Sequence, residues 1–156
     1  MDGHRRPEHA RGAIVSIRLI DSSVWIEYLR PRPRPEVVRA VRAALDADEA
    51  AVAAPVVVEV LSGIRDAEEY SVREAEFRAL HQVPVDGDAS YIAARIGRAL
   101  AEAGKMGKTV DLMLAGAAIN AGAELWSLRD EHYEEVAATL KRAVRVPGTF
   151  RVRWVP

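Results

Sequence analysis

Four acidic residues occupy positions from which their side chains could meet. Each follows or interrupts an apolar segment: Asp21 ends RLID, Glu59 lies inside VVVEVL, Asp111 follows GKMGKTV, and Asp130 follows ELWSLR. Carboxylates brought close together repel, and each raises the pKa of its neighbours. A divalent cation removes that cost, and a site of carboxylate oxygens and waters suits Mg²⁺ or Mn²⁺. Such a cation can activate a water and stabilise charge on a phosphate, so the chemistry would be phosphodiester hydrolysis.

Each acid also has a simpler interpretation. Asp21, Asp111 and Asp130 fall where helices are expected to begin, and an acid there stabilises a helix by about 0.3–1 kcal/mol. Glu59 has apolar residues on both sides, so its carboxylate either faces the surface or is held in the interior for a purpose. Burying an unpaired charge is costly, which makes the second case a functional one. From the residues alone, helix capping and metal binding both stay open.

The elements that would position these acids alternate along the chain. Short apolar runs predict strands at 17–20, 51–54, 83–85, 124–128 and 145–147. Helical periods predict helices at 22–30, 35–47, 55–63, 65–81, 88–103, 109–121 and 130–140. This alternation indicates an α/β fold with a central parallel sheet of four to five strands flanked by helices.

In such a sheet, the connections that follow the strands emerge at one edge, where ligands bind. Asp21, Glu59 and Asp130 would converge there, because each comes after a predicted strand. Asp111 opens a helix that must pack back over the sheet. The topology therefore predicts one acidic pocket.

Composition limits the class of protein. A chain of 156 residues with 49% apolar residues fits one domain. We divide it into a disordered N-terminal tail at 1–16, a single domain at 17–147 and a basic C-terminal tail at 148–156. The absence of cysteine excludes disulfides, thiol catalysis and zinc–thiolate sites, and it fits a reducing cytoplasm. No segment approaches the roughly 18 apolar residues that cross a bilayer, so no membrane association is expected.

Charge and motifs exclude other functions. A net charge of −1 lacks the basic footprint of a general nucleic-acid binder, although 141–156 contains five basic residues and no acid. The segment GKMGKT imitates a phosphate-binding P-loop, but Glu102 stands where the motif needs glycine, and a helix precedes it instead of a strand. The chain has neither an H-E-x-x-H zinc motif nor a G-x-S-x-G nucleophile elbow.

Two segments and a longer block resemble the motifs of the PIN domain family, and in particular its VapC-type toxin ribonucleases. They are IDSSVWIEYLR, VVEVLSG and DLMLAGAAINAGAELWSLRDEHYEEVA. The four acids match those of the family in the right order, and the resemblance covers roughly 17–147. The set of motifs is specific, whereas any one of them alone is weak.

The resemblance implies a metal-dependent endoribonuclease that is the toxin of a VapBC pair, is held inactive by a VapB-type antitoxin and forms a homodimer. Asp21, Glu59 and Asp111 would hold Mg²⁺ or Mn²⁺. Asp130 would complete the pocket, or position a second metal or the water, and Ser22 would support the site by hydrogen bonding. Metal-activated water would then hydrolyse RNA to a 5′-phosphate and a 3′-hydroxyl.

The sequence departs from the family in its last motif. Relatives often carry Thr, Ser or His two residues before the fourth acid, where this chain has Leu128, with Ser127 one place earlier. The alternative is a PIN-like module that binds RNA or protein without cleaving. Several basic residues could neutralise RNA phosphates or could be ordinary solvated surface: Arg30, Arg32, Arg34, Lys105 and Lys108.

Overall fold

The computed structural model describes residues 16–156, which are built around a five-stranded sheet. The strands are β1 (Arg18–Ile20), β2 (Ala50–Val52), β3 (His81–Gln82), β4 (Glu124–Ser127) and β5 (Arg151–Trp154). The helices are α1 (Ser22–Leu29), α2 (Pro35–Asp46), α3 (Ala54–Leu61), α4 (Ala67–Ala79), α5 (Gly87–Glu102), α6 (Thr109–Ala121) and α7 (Glu131–Ala143). The tail expected at 1–16 lies, except for its last residue, outside the described residues.

All five strands are parallel, in the order β3-β2-β1-β4-β5. The predicted parallel α/β sheet is therefore confirmed. The chain builds outward from β1 to β3 on one side and continues with β4 and β5 on the other, so the direction of winding reverses between β1 and β4. A reversal of this kind opens a crevice beyond the carboxyl ends of the two strands.

Two predicted strands are wrong in position. The third was expected at 83–85, but β3 is His81–Gln82. The amide of Val83 still donates to the Val52 carbonyl at 2.8 Å, and Pro84 then ends the ladder because it has no N–H group. The fifth strand was expected at 145–147, where Pro147 likewise has no N–H group to donate to a neighbouring strand. Strand β5 instead lies within 148–156, the segment for which the sequence predicts a basic tail.

The helices match the predicted positions closely, and their apolar faces form the core. Ile96 and Leu100 of α5 are buried, whereas Ala103, inside the predicted range 88–103, is exposed because the helix ends at Glu102. Trp25 is also in the core, with its ring centroid 5.0 Å from that of Phe77.

Within residues 16–156, no helix combines the length and apolar character that spanning a bilayer requires.

Helices α5 and α6 pack especially closely, and a glycine makes this possible. Gly116 of α6 lies against the backbone of Ala89 and Ala93 in α5, where a Cβ atom would overlap the carbonyl oxygen of Ala89. Gly122 ends α6 in the left-handed conformation, with φ 64°, which glycine adopts without strain. Together these glycines fix the position of α6, the helix that carries Asp111.

Candidate active-site cleft

A cleft of about 440 Å³ opens beyond the carboxyl ends of β1 and β4. Its lining includes all four predicted acids, which arrive on four different elements. The lining residues are Asp21, Ser22, Ser23, Ile26, Glu59, Lys108, Thr109, Val110, Asp111 and Asp130. The structure therefore places the four acids around one cavity, as the topology predicts.

Asp21 is the most deeply held of the four acids. It follows β1 directly, is only 8% exposed, and its backbone amide donates to the Trp126 carbonyl of β4 at 2.8 Å. Its Oδ2 atom accepts a hydrogen bond of 2.7 Å from the Ser23 hydroxyl and also receives the Ser23 amide at 3.4 Å. Asp21 thus caps α1 and faces the cleft, so the two interpretations of this residue are compatible.

Two further residues, to which the sequence assigned no role, lie within hydrogen-bonding distance of the Asp21 carboxylate. Ser127 is fully buried, and its Oγ lies 3.2 Å from Asp21 Oδ2 and 2.8 Å from the Leu128 carbonyl oxygen, which share its one proton. The Tyr133 hydroxyl lies 3.5 Å from Asp21 Oδ1. Burial, reinforced by the nearby acids, raises the pKa of Tyr133, so its hydroxyl stays protonated and can donate.

The hydroxyl support expected from Ser22 comes from its neighbours. In the described part of the chain, the hydroxyls that donate to Asp21 belong to Ser23, Ser127 and Tyr133, while Ser22 lines the cleft. A signal for Ser127 exists in the sequence, because it ends a strand adjacent to β1. The sequence contains no comparable signal for Tyr133. It lies on the apolar face of α7, a position that is typical of an ordinary core residue.

Asp111 carries the clearest sign of an unsatisfied site. It is half-buried in the first turn of α6, and its Oδ2 atom is buried without a hydrogen-bond partner. Burial raises the pKa of Asp111, and the negative charges of Asp21 and Asp130 raise it further. Lys108 and His132 oppose this rise more weakly. A buried anionic oxygen without a donor is costly, so this position favours a cation.

Asp130 and Glu59 complete the cleft differently. Asp130 caps α7, where its Oδ1 accepts the His132 amide at 2.8 Å, so one carboxylate oxygen is engaged in the cap. Glu59 is exposed although apolar residues surround it in the sequence, and it lies between the cleft and a neighbouring groove. The possibility that Glu59 is buried is therefore wrong.

The acids fit a divalent cation in chemistry, but they are not drawn together around one point. Among residues 16–156, no three His, Asp or Glu side chains are close enough in this conformation to hold an ion jointly. Nevertheless, the unpartnered oxygen of Asp111 and its repulsion by Asp21 and Asp130 are both relieved by a cation. Binding would require these side chains to rotate inward.

Ser127→Ala is expected to raise the Mg²⁺ concentration that gives half-maximal binding in a calorimetric titration by about tenfold, because residues that orient metal ligands typically contribute that much to affinity. The loss of one hydrogen bond should also cost about 1 kcal/mol of stability. Ser22→Ala should change the half-maximal concentration less. Ser90→Ala is the matched control, because Ser90 is exposed and its hydroxyl donates to the Asp86 carbonyl away from the cleft. An unchanged Mg²⁺ requirement in Ser127→Ala would contradict the role of Ser127.

Comparison with known proteins identifies related sequences. The PIN domain family matches residues 18–139. The chain is 32% identical over 123 residues to Ribonuclease VapC18 of Mycobacterium tuberculosis, a match that covers 76% of this chain and 86% of that protein. Ribonuclease VapC11 of the same organism is also 32% identical over 123 residues, covering 76% of this chain and 90% of its own length.

Solved structures share the fold. The DNA-bound VapBC structure from Salmonella typhimurium matches with a TM-score of 0.69 at 18% identity, covering 90% of this chain and 99% of the matched one. FitAcB from Neisseria gonorrhoeae matches with a TM-score of 0.64 at 20% identity, covering 87% and 96% of the two chains. At such identities these matches establish a shared architecture.

Proposed function

The chain belongs to the PIN domain family, and on that premise we propose that it is a divalent-metal-dependent endoribonuclease, the toxin of a VapBC-type pair. One observation carries the proposal: four carboxylates from four elements line a single cleft, and one of them has a buried oxygen without a partner. The relatives that are 32% identical to it over 123 residues are named ribonucleases. The substrate class is therefore RNA.

Asp21, Glu59, Asp111 and Asp130 would hold Mg²⁺ or Mn²⁺ in this cleft. All four offer carboxylate oxygens, which are the ligands that these hard cations prefer. A bound cation of this type lowers the pKa of a water and compensates charge on a phosphodiester. The donor set supports Mg²⁺ or Mn²⁺ over zinc, because the cleft lining contains neither histidine nor cysteine.

Other side chains of the protein position the carboxylates of the cleft. Hydrogen bonds from the hydroxyls of Ser23, Ser127 and Tyr133 fix the direction of the Asp21 carboxylate. Asp111 presents its unpartnered oxygen from the first turn of α6. Glu59, exposed on α3, can turn inward from the rim.

Wild-type protein incubated with total RNA should cleave it in Mg²⁺ and not in EDTA, and Asp21→Asn should not cleave in either. Asp66→Asn is the matched control, because Asp66 is also a helix-capping acid but lies outside the cleft, where it accepts the Glu69 amide. Cleavage that persists in EDTA would contradict the metal requirement. RNA binding without metal-dependent cleavage would favour the alternative, a module that only binds.

A groove beside the cleft supports an antitoxin as partner. It is about 380 Å³ in volume, shares Ile26 and Glu59 with the cleft, and is lined further by Leu29, Val60 and Ile64. An amphipathic antitoxin segment could lie in this groove and place a basic side chain among the acids, displacing the metal. A mixture of protein and antitoxin that cleaves RNA as fast as the free protein would refute this mode. The homodimer expected from the family is tested by light scattering.

A further inference from the structure

The residue that the proposed function leaves unexplained is Lys108, in the loop between α5 and α6. We propose that Lys108 binds a phosphate of the RNA strand as it enters the acidic cleft. This rests on the proposed function, and it adds a substrate-positioning residue that the four acids do not supply. The ligand is a non-bridging oxygen of a phosphodiester group.

The first argument is the place of Lys108 within the cleft. It is the one cationic side chain in a lining that contains four carboxylates. A strand of RNA approaching those acids meets a repulsive field, and neutralising its phosphates with lysine or arginine is the main source of nucleic-acid affinity. A positive charge at the mouth of an acidic cleft is therefore placed where the substrate needs it most.

The second argument is that, among residues 16–156, no carboxylate forms a salt bridge with the ammonium group of Lys108. Lys108 is exposed, and it takes part in none of the salt bridges found within 4.0 Å among residues 16–156. Lys105, in the same loop, is paired instead, with its Nζ 3.0 Å from Glu135 Oε1. The charge of Lys108 does reach the acids, because it lowers the pKa of Asp111.

The third argument is that lysine is a poor residue for this local structure. Lys108 occupies the N-cap position of α6, where Ser, Thr, Asp or Asn would bond the free amides, and its side chain makes no capping hydrogen bond. A cation is also disfavoured at the positive end of a helix. A residue that breaks two local rules and forms neither a capping hydrogen bond nor a salt bridge in the described part of the chain is expected at a functional position.

Lysine is a compact point charge that contacts phosphate without reading bases. Lys108 should therefore contribute to RNA affinity and to its salt dependence, and not to sequence preference. Removing the hydrogen bond between the Lys108 ammonium group and one phosphate should raise the KM for RNA roughly tenfold. The slope of log(kcat/KM) against log salt should become shallower by about 0.7, the value of one phosphate contact on a single strand.

The test compares Lys108→Ala, Lys108→Arg and Lys105→Ala with wild type, after their melting temperatures show that all are folded. KM and the salt slope are measured at saturating Mg²⁺, and a separate titration measures the Mg²⁺ requirement of each variant. We expect the rise in KM and the shallower salt slope in Lys108→Ala alone, and near wild-type values in Lys108→Arg. Equal KM and slope in Lys108→Ala and Lys105→Ala would overturn the proposal. A change confined to the Mg²⁺ requirement would overturn it too, since Lys108 would then act only on the acids.

A second readout does not depend on cleavage. Binding of a short fluorescein-labelled single-stranded RNA is measured by anisotropy in EDTA, where the proposed reaction cannot run. Lys108→Ala should bind about tenfold more weakly than wild type, and equal binding would overturn the proposal. If wild type fails to cleave RNA in Mg²⁺, the proposed function fails, while this binding comparison still decides the role of Lys108.

Discussion

Asp111→Asn is expected to reduce Mg²⁺-dependent RNA cleavage by about three orders of magnitude, while it raises the melting temperature of the metal-free protein. Both effects come from the same charge. Burial and the charges of Asp21 and Asp130 raise the pKa of Asp111, so its ionised form destabilises the fold. The neutral amide removes that cost, but it also removes a carboxylate oxygen from the proposed metal site. Rates and melting curves in EDTA measure the two effects separately.

The pH dependence of this gain follows from the direction of the pKa shift. A carboxyl group whose pKa is raised by folding binds its proton more tightly in the folded state, so its penalty is present when the group is ionised. The stability gain of Asp111→Asn should therefore be present at neutral pH and full above the raised pKa of the folded state. It should disappear below pH 3.8, the ordinary pKa of the side chain, where wild type is protonated in both states. A variant that is less stable than wild type at neutral pH, or that still cleaves, would contradict this account of Asp111.

Gly116→Ala is expected to destabilise the fold by about 3 kcal/mol, which lowers the melting temperature by roughly 10 °C. The added Cβ would overlap the Ala89 carbonyl oxygen and lie 3.0 Å from the Ala93 amide nitrogen. Both are backbone atoms of α5, so relief requires one helix to move. Because α6 carries Asp111, this movement should also weaken metal binding. Thermal or denaturant unfolding measures the loss.

Gly87→Ala is the matched control for this prediction. The substitution is the same, but a Cβ at Gly87 meets nothing within 4 Å, at the first residue of α5. Its effect should stay near zero or stabilise by up to about 1 kcal/mol, since alanine restricts the unfolded chain. Equal losses in the two variants would show that the close approach of α5 and α6 does not limit the residue at 116.

The order of elements made the cleft predictable. Asp21 and Asp130 follow adjacent parallel strands, so the topology alone brings them to one edge, and Asp111 begins a helix whose limits, 109–121, the sequence predicted correctly. The position of β5 was missed although its sequence RVRW alternates charged and apolar residues, which are exposed and half-buried in turn. The four-residue segment was assigned to a tail because of its basic charge, and its pairing with β4 is a long-range contact that the local pattern does not show.

Burial of single acids was harder to predict than their position. Glu59, within an apolar run, is exposed, whereas Glu27, in an ordinary amphipathic helix, is 7% exposed. Glu27 accepts hydrogen bonds from Arg30 Nη1 at 2.7 Å and from the Arg34 amide at 2.9 Å, partners that the turn after α1 supplies. Which acid finds such partners depends on tertiary packing, and local hydrophobicity does not report it.

The central claim is that the acids of this cleft jointly bind one kind of hard divalent cation. Calorimetric titration of Mn²⁺ into wild type, Asp111→Asn and Asp66→Asn tests it most directly, because it needs neither RNA nor antitoxin. We expect saturable binding to wild type and to Asp66→Asn, and affinity at least about tenfold weaker in Asp111→Asn. Absence of binding to wild type, or equal affinity in Asp111→Asn, would contradict the account.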